Sequence, residues 1–172
     1  LLSVNGAIRK WFGTCTDIEQ LKVAERRLQE SEAKFSGIVS ISDDAIVSID
    51  EEQRITIFND GAEQVFGYSK AEAIGTPLGN LLPERLRQIH LQHVERFASG
   101  PVTARRVQDR LTPIVGLRKN GDEFPAEAAI SKLQVGDKTI LTVAMRDITE
   151  RKRFEKEQQL LAEAGAVLGA SL

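Results

Sequence analysis

The stretch Ala45-Ile-Val-Ser-Ile-Asp-Glu-Glu-Gln-Arg-Ile-Thr-Ile-Phe-Asn59 decides how the chain reads. Two short β-branched runs, 45–50 and 54–59, flank the polar turn Glu51-Glu52-Gln53 and predict a strand hairpin. Asn59 and Asp60 then offer a cap for a short helix over 60–66, closed by Gly67. Ser69 caps a further helical piece to Ile74, and a longer helix is predicted from Pro83 to about Phe97. Strand rhythm returns at 111–118, 123–133 and 138–145, with turns at 119–122 and at Gly136-Asp137. The Asn120-Gly121 pair predicts a primed hairpin turn between the first two of these strands. Two strands, several short helices and three strands make an α+β domain: a five-stranded antiparallel sheet with the helices on one face.

Outward from this core, both flanks read as helices. From Asp17 to Phe35 the chain has no Gly or Pro and is dense in strong helix formers, which predicts a linker helix over 16–37. Leu21, Leu28 and Phe35 recur every seven residues, with Ala24, Ser31 and Ile38 three positions after each, a narrow seam suited to a partner helix. Packing of the same stripe on its own domain is the alternative. Residues 149–172 repeat the design with Phe154, Leu161 and Leu168. These patterns nominate Leu21, Leu28, Phe35, Phe154 and Leu161 for a homodimer formed through both helices.

Thr16-Asp17-Ile18-Glu19 leads into the first flanking helix much as Arg146-Asp147-Ile148-Thr149 leads into the second, 130 residues later. This echo suggests a repeated unit, with 1–15 as the tail of a preceding copy, 38–148 as the complete domain and 149–172 leading to a following one. The chain thus reads as part of a longer polypeptide.

Lys and Arg total 23 against 25 Asp and Glu, so net charge supplies no drive toward nucleic acid or anionic membrane. Cys15 is the only cysteine and excludes an internal disulfide, which fits a reducing, cytoplasmic compartment. No apolar run reaches the roughly 18 residues that span a bilayer. Phosphate-binding glycine loops, nucleophile elbows and metal-ligand clusters are missing from the sequence, and adjacent carboxylates such as Asp43-Asp44 mark solvated loops. No catalytic residue is nominated.

Asp43-Asp44-Ala-Ile46, Ile57-Phe-Asn59, Gly67-Tyr68, Glu72 with Ile74-Gly75, Leu82-Pro-Glu84, Arg118-Lys-Asn-Gly121, Phe124-Pro125 and Arg146-Asp-Ile-Thr149 together resemble the PAS family of sensory domains over about 32–150. The order and spacing are most similar to the PAS domains of bacterial sensor histidine kinases and related regulators. The resemblance implies a signal-sensing and dimerisation module whose Asp147-Ile148-Thr149 turn couples the last strand to an output helix. Adjacent PAS, GAF or kinase domains are the implied partners, since 160–172 resembles the entry helix of a GAF domain. A ligand-free dimerisation spacer is the competing reading.

The resemblance also bears on cofactors. Light-oxygen-voltage PAS domains carry a reactive cysteine in a central helix; residues 77–97 have none, which excludes cysteinyl-flavin photochemistry. Pro83-Glu-Arg-Leu-Arg-Gln-Ile-His90, with Arg96 beyond it, resembles the proximal helix of rhizobial oxygen-sensing haem PAS kinases, which implies His90 as an iron ligand. Arg96, Arg105 or Arg106 would then pair with propionates and Arg110 would face the bound gas. Residues 80–119 hold eight Arg and Lys against three Asp and Glu, which fits an anionic ligand. A lone helical histidine is nonetheless more often a packing residue. Absence of a cofactor is therefore the leading expectation, with haem b the alternative and flavin behind it.

Overall fold

The computed structural model describes residues 18–106 and 114–169. The expected preceding repeat at 1–15 and the candidate Arg110 lie outside them. The chain divides into two compact units, one ending at Gly37 and one beginning at Ile38. Helix α1, Glu19–Ser40, supplies the described part of the first; it runs three residues past the expected end and buries no side chain.

In the second unit β1 (Ala45–Ile49) and β2 (Ile55–Phe58) form the expected hairpin, followed by α2 (Asp60–Phe66), α3 (Lys70–Ala73) and a 3-10 turn at Leu78–Leu81. Helix α4 spans Glu84–Ser99, β3 Ala104–Arg106, β4 Ile114–Leu117, β5 Glu123–Val135 and β6 Lys138–Asp147; α5, Thr149–Gly169, follows. The sheet is antiparallel throughout in the order β2-β1-β6-β5, and its fifth position is shared by β3 and β4, both paired with β5. Five strand positions were expected. What the sequence did not announce is β3, whose Ala-Arg-Arg carries no apolar alternation and is held by its pairing with 129–131.

Local chemistry explains the helix boundaries. Asn59 Oδ1 accepts the Ala62 amide at 2.9 Å as an N-cap, and the Gly67 amide closes α2 on the Glu63 carbonyl at 2.8 Å. Ser69 and Glu72 form a reciprocal capping box on α3. Glu72 also receives Lys119 Nζ at 2.6 Å; that bond, with those from Ser69, lowers its pKa to about 2.

The turn between β4 and β5 departs from the expected primed geometry. Among the described residues only Gln53 has a positive φ without being glycine, so Asn120 is not left-handed. Arg118 O instead accepts the Gly121 amide at 2.9 Å, and Gly121 takes φ 92°. The turn starts at Arg118 because the flanking residues are held by the rest of the fold: the Lys119 amide donates to Phe66 O at 2.8 Å. An ordinary turn with a glycine after it satisfies those contacts; a two-residue loop would not.

The core lies between the sheet and α2. Phe58, Phe66 and Phe124 are almost fully buried, with Val47 and Ile55 beside them. Phe66 meets Phe58 at 6.1 Å and the edge of Phe124 at 5.5 Å between centroids. Each such side chain contributes about 1.5–3 kcal/mol through burial. Ser48 is buried too, its hydroxyl 2.8 Å from that of Thr142 across the β1–β6 pair, so the polar atom costs little.

Candidate functional site: a cavity under α4 and the junction at α5

Helix α4 buries none of its sixteen residues fully. Its ends are tied to β5: Arg85 pairs with Glu123 through both terminal guanidinium nitrogens, and Lys132 Nζ donates to the carbonyls of Ala98 (2.9 Å) and Gly100 at the helix C-terminus. Between those ties the helix spans a cavity of about 150 Å³. The opposite wall is the sheet, with Val47, Ala128, Leu141, Val143 and Met145; Phe66 closes one side.

Fourteen of the seventeen described lining residues are apolar, and the exceptions are His90, His93 and Thr142. The structure therefore puts His90 on the cavity wall and adds His93, one helical turn away, which the sequence reading had not nominated. Arg96 is exposed on α4 and is not part of the lining; Arg106 lies in β3. No Lys, Arg, Asp or Glu lines the cavity among the described residues. The described basic residues of the stretch 80–119 do not converge on it, as the alternative of an anionic ligand would require. Arg85 pairs with Glu123, Arg118 with Asp147 and Lys119 with Glu72, while Arg87 Nε donates to Leu82 O at 3.3 Å.

These dimensions test the haem expectation. Pockets that enclose drug-sized ligands measure about 300–1,000 Å³, and a porphyrin is at the upper end of such ligands. The described residues offer an imidazole as a donor to iron, but neither room for the macrocycle nor a lining cation for its propionates. The described part of the cavity does not fit haem, and a flavin meets the same objection. Among the described residues no group of three or more His, Cys, Asp and Glu is placed to hold a metal ion.

The second site is the corner where β6 becomes α5. Asp147 Oδ1 accepts the Thr149 amide at 2.7 Å and the Thr149 hydroxyl at 2.6 Å, and its other oxygen pairs with Arg118. Burial alone would raise the Asp147 pKa, but the Thr149 hydroxyl and amide and the Arg118 guanidinium outweigh it and hold the carboxyl below its ordinary value. Ile148 is buried between them and donates its amide to Pro125 O at 3.0 Å. The three residues nominated from sequence thus come together as a helix start.

Arg118 was missed as their partner, although its Arg-Lys-Asn-Gly context had been noted. It also donates to Val65 O in the last turn of α2 and lies 4.3 Å from the Phe124 ring centroid. The same corner anchors the chain's entry. Arg146 makes a two-pronged pair with Asp44 at 2.7 and 3.0 Å, and Arg151 of α5 pairs with Glu127. No helix among the described residues is long and apolar enough to cross a membrane.

A five-position antiparallel sheet with a cavity under a helix tied at both ends, and a braced helix start at the last strand, define an α+β domain of the kind that sensory modules use. The family model described as PAS domain matches residues 43–150, and the chain belongs to that family. It is 31% identical over 160 residues to the sensor protein FixL of Bradyrhizobium diazoefficiens, a match covering 91% of this chain and 30% of that protein. The oxygen sensor protein DosP of Escherichia coli is 28% identical over 116 residues, 67% of this chain and 14% of that one. The chain therefore spans under a third of each relative. Among solved structures, the PAS domain of a Colwellia psychrerythraea protein superposes with TM-score 0.57 at 25% identity, covering 72% of this chain and 98% of that one.

Proposed function

We propose that this PAS domain is the sensing and relay part of a larger cytoplasmic signalling protein of the sensor histidine kinase kind. A change in the cavity passes through Asp147, Ile148 and Thr149 into α5. The observation that carries this reading is the contact chain between the two sites. Phe66 lines the cavity, meets Phe124 edge to face, and Phe124 lies under Arg118, whose other partners are Val65 O and Asp147. A shift of Phe66 is thereby transmitted to the group that holds the first turn of α5. The similarity to FixL supports a sensor, and neighbouring PAS, GAF or kinase domains would receive the signal.

The output is a change in register or angle of a helix pair in a homodimer. Leu21, Leu28 and Phe35 on α1 and Phe154 and Leu161 on α5 are each more than half exposed, which supports a seam waiting for a partner. A ligand-free spacer would lack the dependence of α5 on cavity contents.

The test fills the cavity from the protein side. In Ala128→Phe the added ring occupies the void, and hydrogen exchange of residues 149–153 should change several-fold relative to the parent. Adding Arg118→Ala should remove that response. Unchanged exchange at α5 on filling would sink the relay and leave the spacer.

A further inference from the structure

Gly116 sits directly across from Phe124 in the β4–β5 register and is buried. Its backbone gives no reason for a glycine, since positive φ among the described glycines is confined to Gly67, Gly75, Gly121 and Gly136. A glycine inside a strand weakens the pairing and marks a close approach by another group. Here that group is the Phe124 ring. A Cβ at 116 would collide with Phe124 Cζ and stand 2.6 Å from Cε1 and 3.1 Å from Cε2, so a larger residue requires the ring to move. The ring in turn covers the backbone that the missing side chain leaves bare.

Phe124 is held on two further sides. Phe66 meets it edge to face at 5.5 Å between centroids, and the Arg118 guanidinium carbon lies 4.3 Å from its centroid. Strand alternation puts Arg118, two residues on, on the same face as Gly116. A ring displaced inside a close-packed interior must be taken up by one of these neighbours. The Arg118 side chain is 26% exposed and Phe66 only 1%, so Arg118 yields first.

We infer that Gly116 is a positioning residue of the relay: by lacking a side chain it keeps the Phe124 ring over β4, where the ring holds the Arg118 guanidinium on Asp147. This rests on the relay proposed above and names the residue that sets its resting state. A methyl group at 116 would push the ring outward, loosen Arg118 from Asp147 and release the first turn of α5 without any ligand.

The experiment follows the Asp147 carboxyl by carbon NMR across a pH series, with amide exchange at 149–153, on the whole chain. Gly116→Ala should raise the Asp147 midpoint toward the ordinary carboxylate value, because the carboxyl loses a cation that holds it down, and should speed exchange at 149–153 several-fold. A purely structural role would lower Tm and leave that midpoint in place. Phe124→Leu removes the ring tip and the surface under Arg118, so it should raise the midpoint by itself. Adding Gly116→Ala to Phe124→Leu should then change neither readout further. That pair tests the inference even if Gly116→Ala alone does not fold. An Asp147 midpoint unmoved in Gly116→Ala or in Phe124→Leu, or a further shift on adding Gly116→Ala to Phe124→Leu, overturns it. If Ala128→Phe alters exchange at 149–153 while Gly116→Ala moves neither readout, the inference falls and the relay stands. If Gly116→Ala moves both readouts while Ala128→Phe leaves exchange unchanged, the positioning role stands and the link to the cavity falls.

Discussion

Asn59 shows how much one side chain can decide. Its Nδ2 donates to the carbonyls of Val39 (3.0 Å), Ser42 (3.3 Å) and Asp44 (3.0 Å), and its Oδ1 accepts from Ile46 (2.7 Å) and Ala62 (2.9 Å). It therefore fastens the segment entering the domain to the start of α2, from a site only 4% exposed. The following Gly61 lets that segment approach: a Cβ there would meet Asp44 O at 2.6 Å and Ser42 O at 2.8 Å. Asn59→Ala strands several buried groups and should cost about 3 kcal/mol, read from urea unfolding. The corner role of Asn59 was legible in the sequence, because caps act over three residues. Its reach back to Val39 was not, because only the fold brings that carbonyl near.

At the same scale, Asp147 makes stability depend on pH. Its carboxyl is held below the ordinary value, so it favours folding while ionised. That contribution is fully present above the unfolded value near pH 4 and is lost as pH falls through the folded value. Asp147→Asn should therefore flatten the fall in stability below about pH 4 while lowering stability near neutrality, as followed by thermal unfolding across a pH series.

At the scale of elements, α1 and α4 contrast in what holds them. Along α1, Leu21 is 68% and Leu28 60% exposed, so a charge there removes apolar contact area without disturbing a packed interior. Leu28→Asp should turn the proposed dimer into a monomer in light scattering, with the melting behaviour of 38–148 unchanged. Helix α4 depends on ties at its ends. The Arg85–Glu123 pair is solvent-exposed and screened, so it contributes little. Lys132, partly buried and bonded to carbonyls at the helix C-terminus, matters more. Lys132→Met should cost about 1–2 kcal/mol and speed amide exchange in the last turn of α4. Helix α4 itself was predictable from composition, yet its anchoring was not, since Lys132 lies 34 residues beyond Ala98.

For the molecule as a whole, the first and last strands of the domain lie side by side, β1 against β6. The chain enters and leaves at the same end of this central pair, where Asp44 bonds Arg146 and Arg118 bonds Asp147. On the proposed relay, a signal at the cavity would reach both connections through one corner. If the cavity is empty in the absence of ligand, Ala128→Phe fills a void and should hold or raise Tm, whereas the same substitution in a solid core lowers it.

By itself the sequence determined the order of the main elements, with β3 and the 3-10 turn at Leu78–Leu81 left to the fold. Strand rhythm, the caps at Asn59 and Ser69, the glycine stops and the Asp147-Ile148-Thr149 helix start act over a few residues, so they are written locally. Tertiary structure decided what those elements build. Val47, Phe66, His90 and Val143 line one cavity only because the sheet and α4 bring them together. The same folding directs Arg118 to Asp147, Arg85 to Glu123 and Lys119 to Glu72, none of which lines the cavity. Cavity volume and charge pairing depend on contacts between residues distant in the chain, and no local pattern encodes them.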